Sequence, residues 1–247
     1  MNSRPRFAYL QARCQARFAE LQRGNWSAWR GDSPTAGQAL PDSRLALSPA
    51  LNRLAASSNL HEVEQHIRTV FRQLVVELAR WAPAEWRPAV WWSALLIDLP
   101  ALQHLLEGGK PYPWFSENER LAAWTQSLTG AAAGEGATLI KSHNAGSALF
   151  DTWRRCWQQR WPAVDRRTRY QLGLVQSAML HSRQRLGATQ AFDRIAEAIW
   201  LERHLIGVFR NHLQTPAAMF AYLGLVWLEL VRFRGGVVKL KLVHSKT

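Results

Sequence analysis

Asn59-Leu60-His61-Glu62-Val63-Glu64-Gln65-His66-Ile67-Arg68-Thr69-Val70-Phe71-Arg72-Gln73-Leu74-Val75-Val76-Glu77-Leu78 is the stretch whose spacing decides the fold class. Ile67, Val70, Phe71, Leu74, Val75 and Leu78 recur at helical intervals, which puts them on one face of a long α-helix. Asn59 stands where a side-chain oxygen can accept from the unpaired amides of a first helical turn, so it is the expected N-cap.

The same period runs outward in both directions. Phe7, Leu10, Cys14, Phe18 and Leu21 predict a first helix that Gly24 ends. Residues 24–58, rich in Gly, Pro, Ser and Asp, read as a long connection. A third helix is expected through Trp91–Ile97, with Pro100 kinking it or opening a new one that stops before Gly108-Gly109. Ser116 and Glu119 have the spacing of a capping box opening a helix through Leu128. Gly130 to Gly136 reads as a break. Further helices are expected over 146–161, 163–186, 189–213 and 217–234, with Thr189 as a cap. Strand alternation is missing from this reading, so the expected fold class is all-α.

The 247-residue chain is 47% apolar and can bury a substantial core. Lys and Arg outnumber Asp and Glu by 31 to 18. Residues 1–30, 153–185 and 232–247 carry +5, +7 and +5, which leaves the remainder at −4. Three basic zones on a nearly neutral body predict localised contacts with an acidic protein, anionic lipid or nucleic acid. Cys14 and Cys156 stand far apart, a pattern of neither a disulfide framework nor a zinc site. The Arg-rich, periodic N-terminus lacks a signal-peptide core, and a cytoplasmic location is expected. Pro216 to Val231 is apolar apart from Glu229 but shorter than the roughly 18–20 residues of a bilayer span, so it reads as a core helix.

Known reaction chemistry is hard to place on this pattern. Ile140 precedes Lys141-Ser142 where a phosphate loop needs Gly. His61 with His66, and His204 with His212, miss the i, i+4 spacing of a helical zinc site. Trp153, Trp157 and Trp161 stack along one helix face beside Arg154, Arg155 and Arg160. Helical spacing favours a core stripe with a solvated basic edge. Base stacking by a basic Trp/Arg-rich protein that binds nucleic acid is the alternative.

The two ends of the chain carry a resemblance. Tyr9, Ala12, Arg13 and Arg17, with Cys14 at a Val place, are followed near the other end by Ala221, Tyr222, Leu223, Glu229, Arg232 and Arg234. Between them, Asp98 and Leu102 keep part of an Asp-x-x-Asn-Leu segment with Ala101 at the Asn place, and Leu180 keeps less of a second. Short apolar patterns at 96–102, 174–180 and 227–233 suggest a weak internal repeat. In these features the chain resembles the central-stalk connector family of A/V-type rotary ATPases, which has archaeal, bacterial and eukaryotic members.

The resemblance implies a funnel-like array of three related helical bundles in shortened form, over 1–110, 111–187 and 188–247, with the second trimmed around 110–160. It implies a peripheral protein on the cytoplasmic face of the membrane that joins central-shaft subunits to a proteolipid ring for proton or sodium transport. It further implies no catalytic site, metal, cofactor, small-molecule substrate or nucleic-acid partner. Glu229, Arg232, Arg234, Arg13 and Arg17 are the expected partner-binding residues, and Tyr9, Asp98, Leu102 and Tyr222 the signature positions. Leu225-Val226-Trp227 departs from the charge common there in the family. The expected competitor for the charged set is intramolecular pairing, Glu229 with Arg232 or Arg13. Lys239 to Lys246 reads as a solvated basic tail.

Overall fold

The computed structural model of the protein describes residues 4–23, 59–129, 135–144, 148–188 and 191–244. Among them are ten α-helices and no strand: α1 (Arg4–Arg23), α2 (Leu60–Trp81), α3 (Arg87–Ser93), α4 (Leu99–Leu106), α5 (Glu119–Thr129), α6 (Glu135–Asn144), α7 (Leu149–Gln159), α8 (Arg166–Ala188), α9 (Ala191–Asn211) and α10 (Pro216–His244). The all-α expectation holds. The 24–58 connection and the Thr189 cap lie outside the described residues.

α2 starts where its sequence predicts, with Asn59 Oδ1 accepting from the Glu62 amide at 2.9 Å. Its buried face contains Ile67, Val70, Phe71, Leu74, Val75 and Leu78. After α3 the chain tightens into a 3-10 segment, Ala94–Ile97, and then bends by 57° into α4. Pro100 sits in the first turn of α4, where its missing N–H leaves no helical bond unmade. Gly108, at φ 81°, ends α4 in the left-handed conformation that a Cβ would oppose.

Three expectations are corrected. Ser116 does not cap α5; its hydroxyl donates back to the Pro113 carbonyl at 2.9 Å, and Asn118 Oδ1 accepts from the Leu121 amide at 3.3 Å instead. Asn118 directly precedes Glu119, the first residue of α5, so it reaches the free amides that Ser116 cannot. Part of the break read at 130–136 is helical, because α6 begins at Glu135. The last helix, expected over 217–234, does not end before Gly235-Gly236, where glycine would ordinarily stop it, but runs on to His244 through the supposed tail. A glycine costs a helix interior only about 1 kcal/mol, and Phe233 and Val237 on either side are buried and hold the turn in place.

α10 is the hub, packing against α1, α2, α8 and α9. Of its apolar window Pro216–Gly235, 83% is buried inside the protein, as expected of a core helix. The four residues between α9 and α10 make these helices antiparallel neighbours. Thr215 caps α10, its hydroxyl accepting from the Ala218 amide at 3.4 Å and donating to the His212 carbonyl at 2.6 Å. α1 lies on α10 and α2. Phe7 meets Trp86, Trp86 meets Phe220, and Phe18 meets Phe209 at 4.9 Å between ring centres, which locks the two ends of the chain together.

Candidate partner interface

The helical period of α1 buries Phe7, Leu10, Cys14 and Phe18 and turns Tyr9 and Arg13 outward. Arg13 lies 5.0 Å from the ring centre of Trp81 and 5.8 Å from that of Tyr9. Arg17, one turn on, stacks on the same indole at 4.9 Å and pairs with Glu77 at 2.5 Å. Burial opposes its charge, but the hydrogen bond and attraction from Glu77 outweigh that, so the guanidinium is held above its ordinary pKa. Arg17 also lies close enough to the Tyr222 hydroxyl for its charge to act on that phenol. Burial drives that phenol well above its usual range, and pushes the neighbouring Cys14 thiol up to about 12. Tyr9, Arg13 and Arg17 thus come together on α1, with Arg17 beside the buried Tyr222 from the opposite end of the sequence.

Glu229 and Arg232 sit in the buried part of α10 and Arg234 at its partly exposed edge, and each has an internal ionic partner. Arg232 reaches Glu229 Oε1 at 2.7 Å and Glu202 Oε2 of α9 at 2.6 Å. Burial works against the Arg232 charge, and the hydrogen bond to Glu202 with the pull of both carboxylates raises its pKa regardless. The pairing of Glu229 falls to Arg232, three residues along the same helix. Arg234 lies 3.5 Å from Glu64 Oε1 of α2.

From Glu64 an ionic chain runs inward. Glu64 Oε2 accepts from Arg68 Nη1 at 2.5 Å, and Arg68 Nε lies 3.3 Å from Asp98 Oδ1. Asp98 is fully buried, and its other oxygen meets Arg72 Nη2 at 2.6 Å and Arg120 Nη1 at 3.5 Å. Arg72 also donates to Asn118 Oδ1, so the residue that caps α5 joins the network. α2, α5, α10 and the bend before α4 are thereby tied by charge. Buried ions of this kind are tolerated only when paired, and removing one partner is expensive. Leu102, the remaining signature position, is fully buried in the apolar core.

The outer end of this chain opens into a cavity of about 350 Å³ lined by Arg68, Arg234, Glu64, His104, Tyr112 and Trp114. The His104, Tyr112 and Trp114 rings follow one another nearly parallel, 14° and 4° apart, and Arg68 stacks on Trp114 at 4.2 Å. A Cβ at Gly109 would collide with the His104 ring and push it from this stack. A pocket with aromatic walls and two guanidinium groups is chemically suited to an acidic or aromatic side chain of a partner.

Sequence reasoning missed Glu77, Trp81, Glu202, Glu64, Arg68 and Arg72. One signal was available: Glu64, Arg68 and Arg72 are spaced i, i+4, i+8, a charged stripe beside the apolar face of α2. Glu202 lies 30 positions from Arg232, and no local pattern links them.

The tryptophan stripe is core. Trp153 and Trp157 are buried and stacked 5.8 Å apart, and Trp161 is half-buried. Arg160 lies 3.8 Å over Trp92 and donates to the Cys156 carbonyl, so it braces the stripe from within the fold. Comparison with protein-family models, with curated proteins and with solved structures finds no match in any of the three.

Proposed function

We propose that this protein is a non-catalytic connector of an A/V-type rotary ATPase, joining the rotating central shaft to the membrane proteolipid ring. It works from the cytoplasmic face as a peripheral part of a complex that moves protons or sodium. The observation that carries this reading is the joining of the termini, where α1, bearing Tyr9, Arg13 and Arg17, lies on the hub helix and brings Arg17 beside Tyr222. These are the residues on which the family resemblance rests. A connector needs stiffness and a contact that does not slip, and both have support in the fold. The Glu64–Arg68–Asp98–Arg72 chain braces α2 against the bend before α4, while Arg232 braces α10 against α9.

In this reading the charged set divides by role. Arg17, Glu229 and Arg232 hold the body rigid. Tyr9 and Arg13, on the outer face of α1, and Arg234, at the mouth of the aromatic cavity, are placed to touch partners. The buried indoles of Trp153 and Trp157 offer no face on which nucleic-acid bases could stack, so the basic stripe adds no support for a nucleic-acid role.

The test is affinity capture of the tagged full chain from native membranes in mild detergent, repeated at raised salt. Recovery of a proteolipid ring with stalk and catalytic subunits at both salt levels is the expected result. Recovery of nucleic acid alone, lost as salt rises, would sink the connector reading.

A further inference from the structure

A second cavity, of about 390 Å³, lies where the 3-10 segment after α3 meets α4, α7, α8, α9 and α10. Its volume falls within the roughly 300–1,000 Å³ of small-molecule sites. Leu96, Leu99, Phe150, Met179, Leu205 and Trp227 give it an apolar wall. Gly224 leaves one side open, since a Cβ there would come within 2.9 Å of Leu205 Cδ1. None of the residues assigned above to the connector contacts lines this space, so the inference stands apart from that reading.

Arg183 of α8 is the one charged residue among the described lining residues. Its guanidinium lies 4.9 Å over the Phe150 ring, and its Nη2 donates to the neutral Gln103 Oε1 at 3.4 Å. Arg183 is exposed at the edge of the cavity, and partial loss of hydration there lowers its pKa, with the charge of Asp151 acting in the opposite direction. A guanidinium has five N–H donors in a rigid fork, so most remain for a guest. The fork matches both oxygens of one carboxylate. A single such cation at the side of an apolar chamber suits one negative charge attached to a hydrocarbon.

We propose that this cavity binds an aliphatic monocarboxylate, with the hydrocarbon chain among Leu96, Met179, Leu205 and Trp227 and the carboxylate paired with Arg183. Burial of the chain supplies most of the affinity, so each added methylene between hexanoate and decanoate tightens binding about fourfold. A neutral chain forgoes the charge-assisted hydrogen bonds to the guanidinium and binds at least about tenfold more weakly.

Isothermal titration of the full chain with sodium hexanoate, octanoate and decanoate, and with 1-decanol, tests this. A single saturable site per chain is expected, tightening along the carboxylate series and weaker for decanol. Arg183→Gln removes the advantage of decanoate over decanol and leaves decanol unchanged. Met179→Trp narrows the cavity and weakens binding of both, with circular dichroism checking its helix content. The chain-length series on the unaltered protein decides the matter should that variant misfold. Absence of a saturable site, affinity independent of chain length, or equal binding of decanoate and decanol overturns the proposal.

Discussion

Trp92 and Trp153 exchange hydrogen bonds: Trp92 Nε1 donates to the Trp153 carbonyl at 2.9 Å, and Trp153 Nε1 donates to the Trp92 carbonyl at 3.3 Å. Both indoles are buried, so neither N–H can turn to water once its partner is lost. Trp92→Phe is expected to cost about 0.5–1.5 kcal/mol for the lost hydrogen bond, since the Trp153 carbonyl keeps its place in the helical ladder of α7. Urea unfolding of Trp92→Phe, Trp153→Phe and the double variant should give a coupling energy above about 0.5 kcal/mol. Simple additivity would show that the two bonds do not act as a unit.

Asp98 answers more than one guanidinium without access to water, so its charge and not its volume is what the fold requires. Asp98→Asn keeps the shape and leaves Arg68 and Arg72 underpaired. A loss of about 3–5 kcal/mol is expected, seen as a Tm roughly 6–20 °C lower for a chain of this size. Because the cluster is buried, the loss should persist at high salt. A drop that vanishes in salt would place the attraction at the surface.

Cys14 and Tyr222 make the joint between the termini sensitive to alkali. The Cys14 thiol rises from an ordinary 9.0 to about 12 in the fold because burial disfavours the thiolate. Between those values the unfolded chain gives up its proton while the folded chain keeps it. Stability is therefore flat below about pH 9 and falls as pH rises above it, by at most about 1.4 kcal/mol per pH unit for each such group. Tyr222 acts in the same sense from its ordinary 10.0. Urea midpoints at about pH 8 and about pH 10.5 should diverge more for the wild type than for Cys14→Ala. Equal slopes would mean that the thiol titrates alike in both states.

Local physics was legible in the sequence, and long-range pairing was not. The apolar face of α2 and its Asn59 cap need only neighbouring residues to be read. The capping box failed because Asn118, two positions beyond Ser116, competes for the same amides and stands closer to them. Gly235-Gly236 misled because a local stop signal was overridden by burial of Phe233 and Val237 on each side. Asp98 could be picked out by motif, yet its partners Arg72 and Arg120 lie 26 and 22 positions away on different helices. The Arg183 cavity draws its wall from six helical segments, and only their packing brings those residues together.

Gln214 is the one described non-glycine residue with positive φ, at 58°, and it sits in the turn from α9 to α10. Its amide donates to Gln11 Oε1 of α1 at 3.2 Å, so this turn is tied to the N-terminal helix. Gln214→Val puts a β-branched side chain in the left-handed region and should lower stability by about 1–2 kcal/mol. Gln214→Gly relieves that strain and should be neutral or slightly stabilising. Gln11→Ala should cost about 1–3 kcal/mol by orphaning the amide. Chemical denaturation orders the three, and Gly falling below Val would contradict the strain argument.

Arg13 and Arg232 separate contact from support. Arg13 stacks on Trp81 from the outer face of α1, beside a Tyr9 that is 60% exposed. Exposed cation–π contacts are worth about 0.5–1 kcal/mol, so Arg13→Glu and Tyr9→Ala should fold nearly normally. Arg232 is mostly buried between Glu202 and Glu229, and Arg232→Leu should cost about 3–5 kcal/mol through the carboxylates it strands. If the outer face of α1 touches the stalk, Arg13→Glu reduces capture of the ring and stalk proteins at unchanged Tm. Arg232→Leu lowers capture only in step with its lost stability. Full capture by the Arg13→Glu, Tyr9→Ala double variant at raised salt would remove that face from the interface, and would move the contact to the cavity beside Arg234.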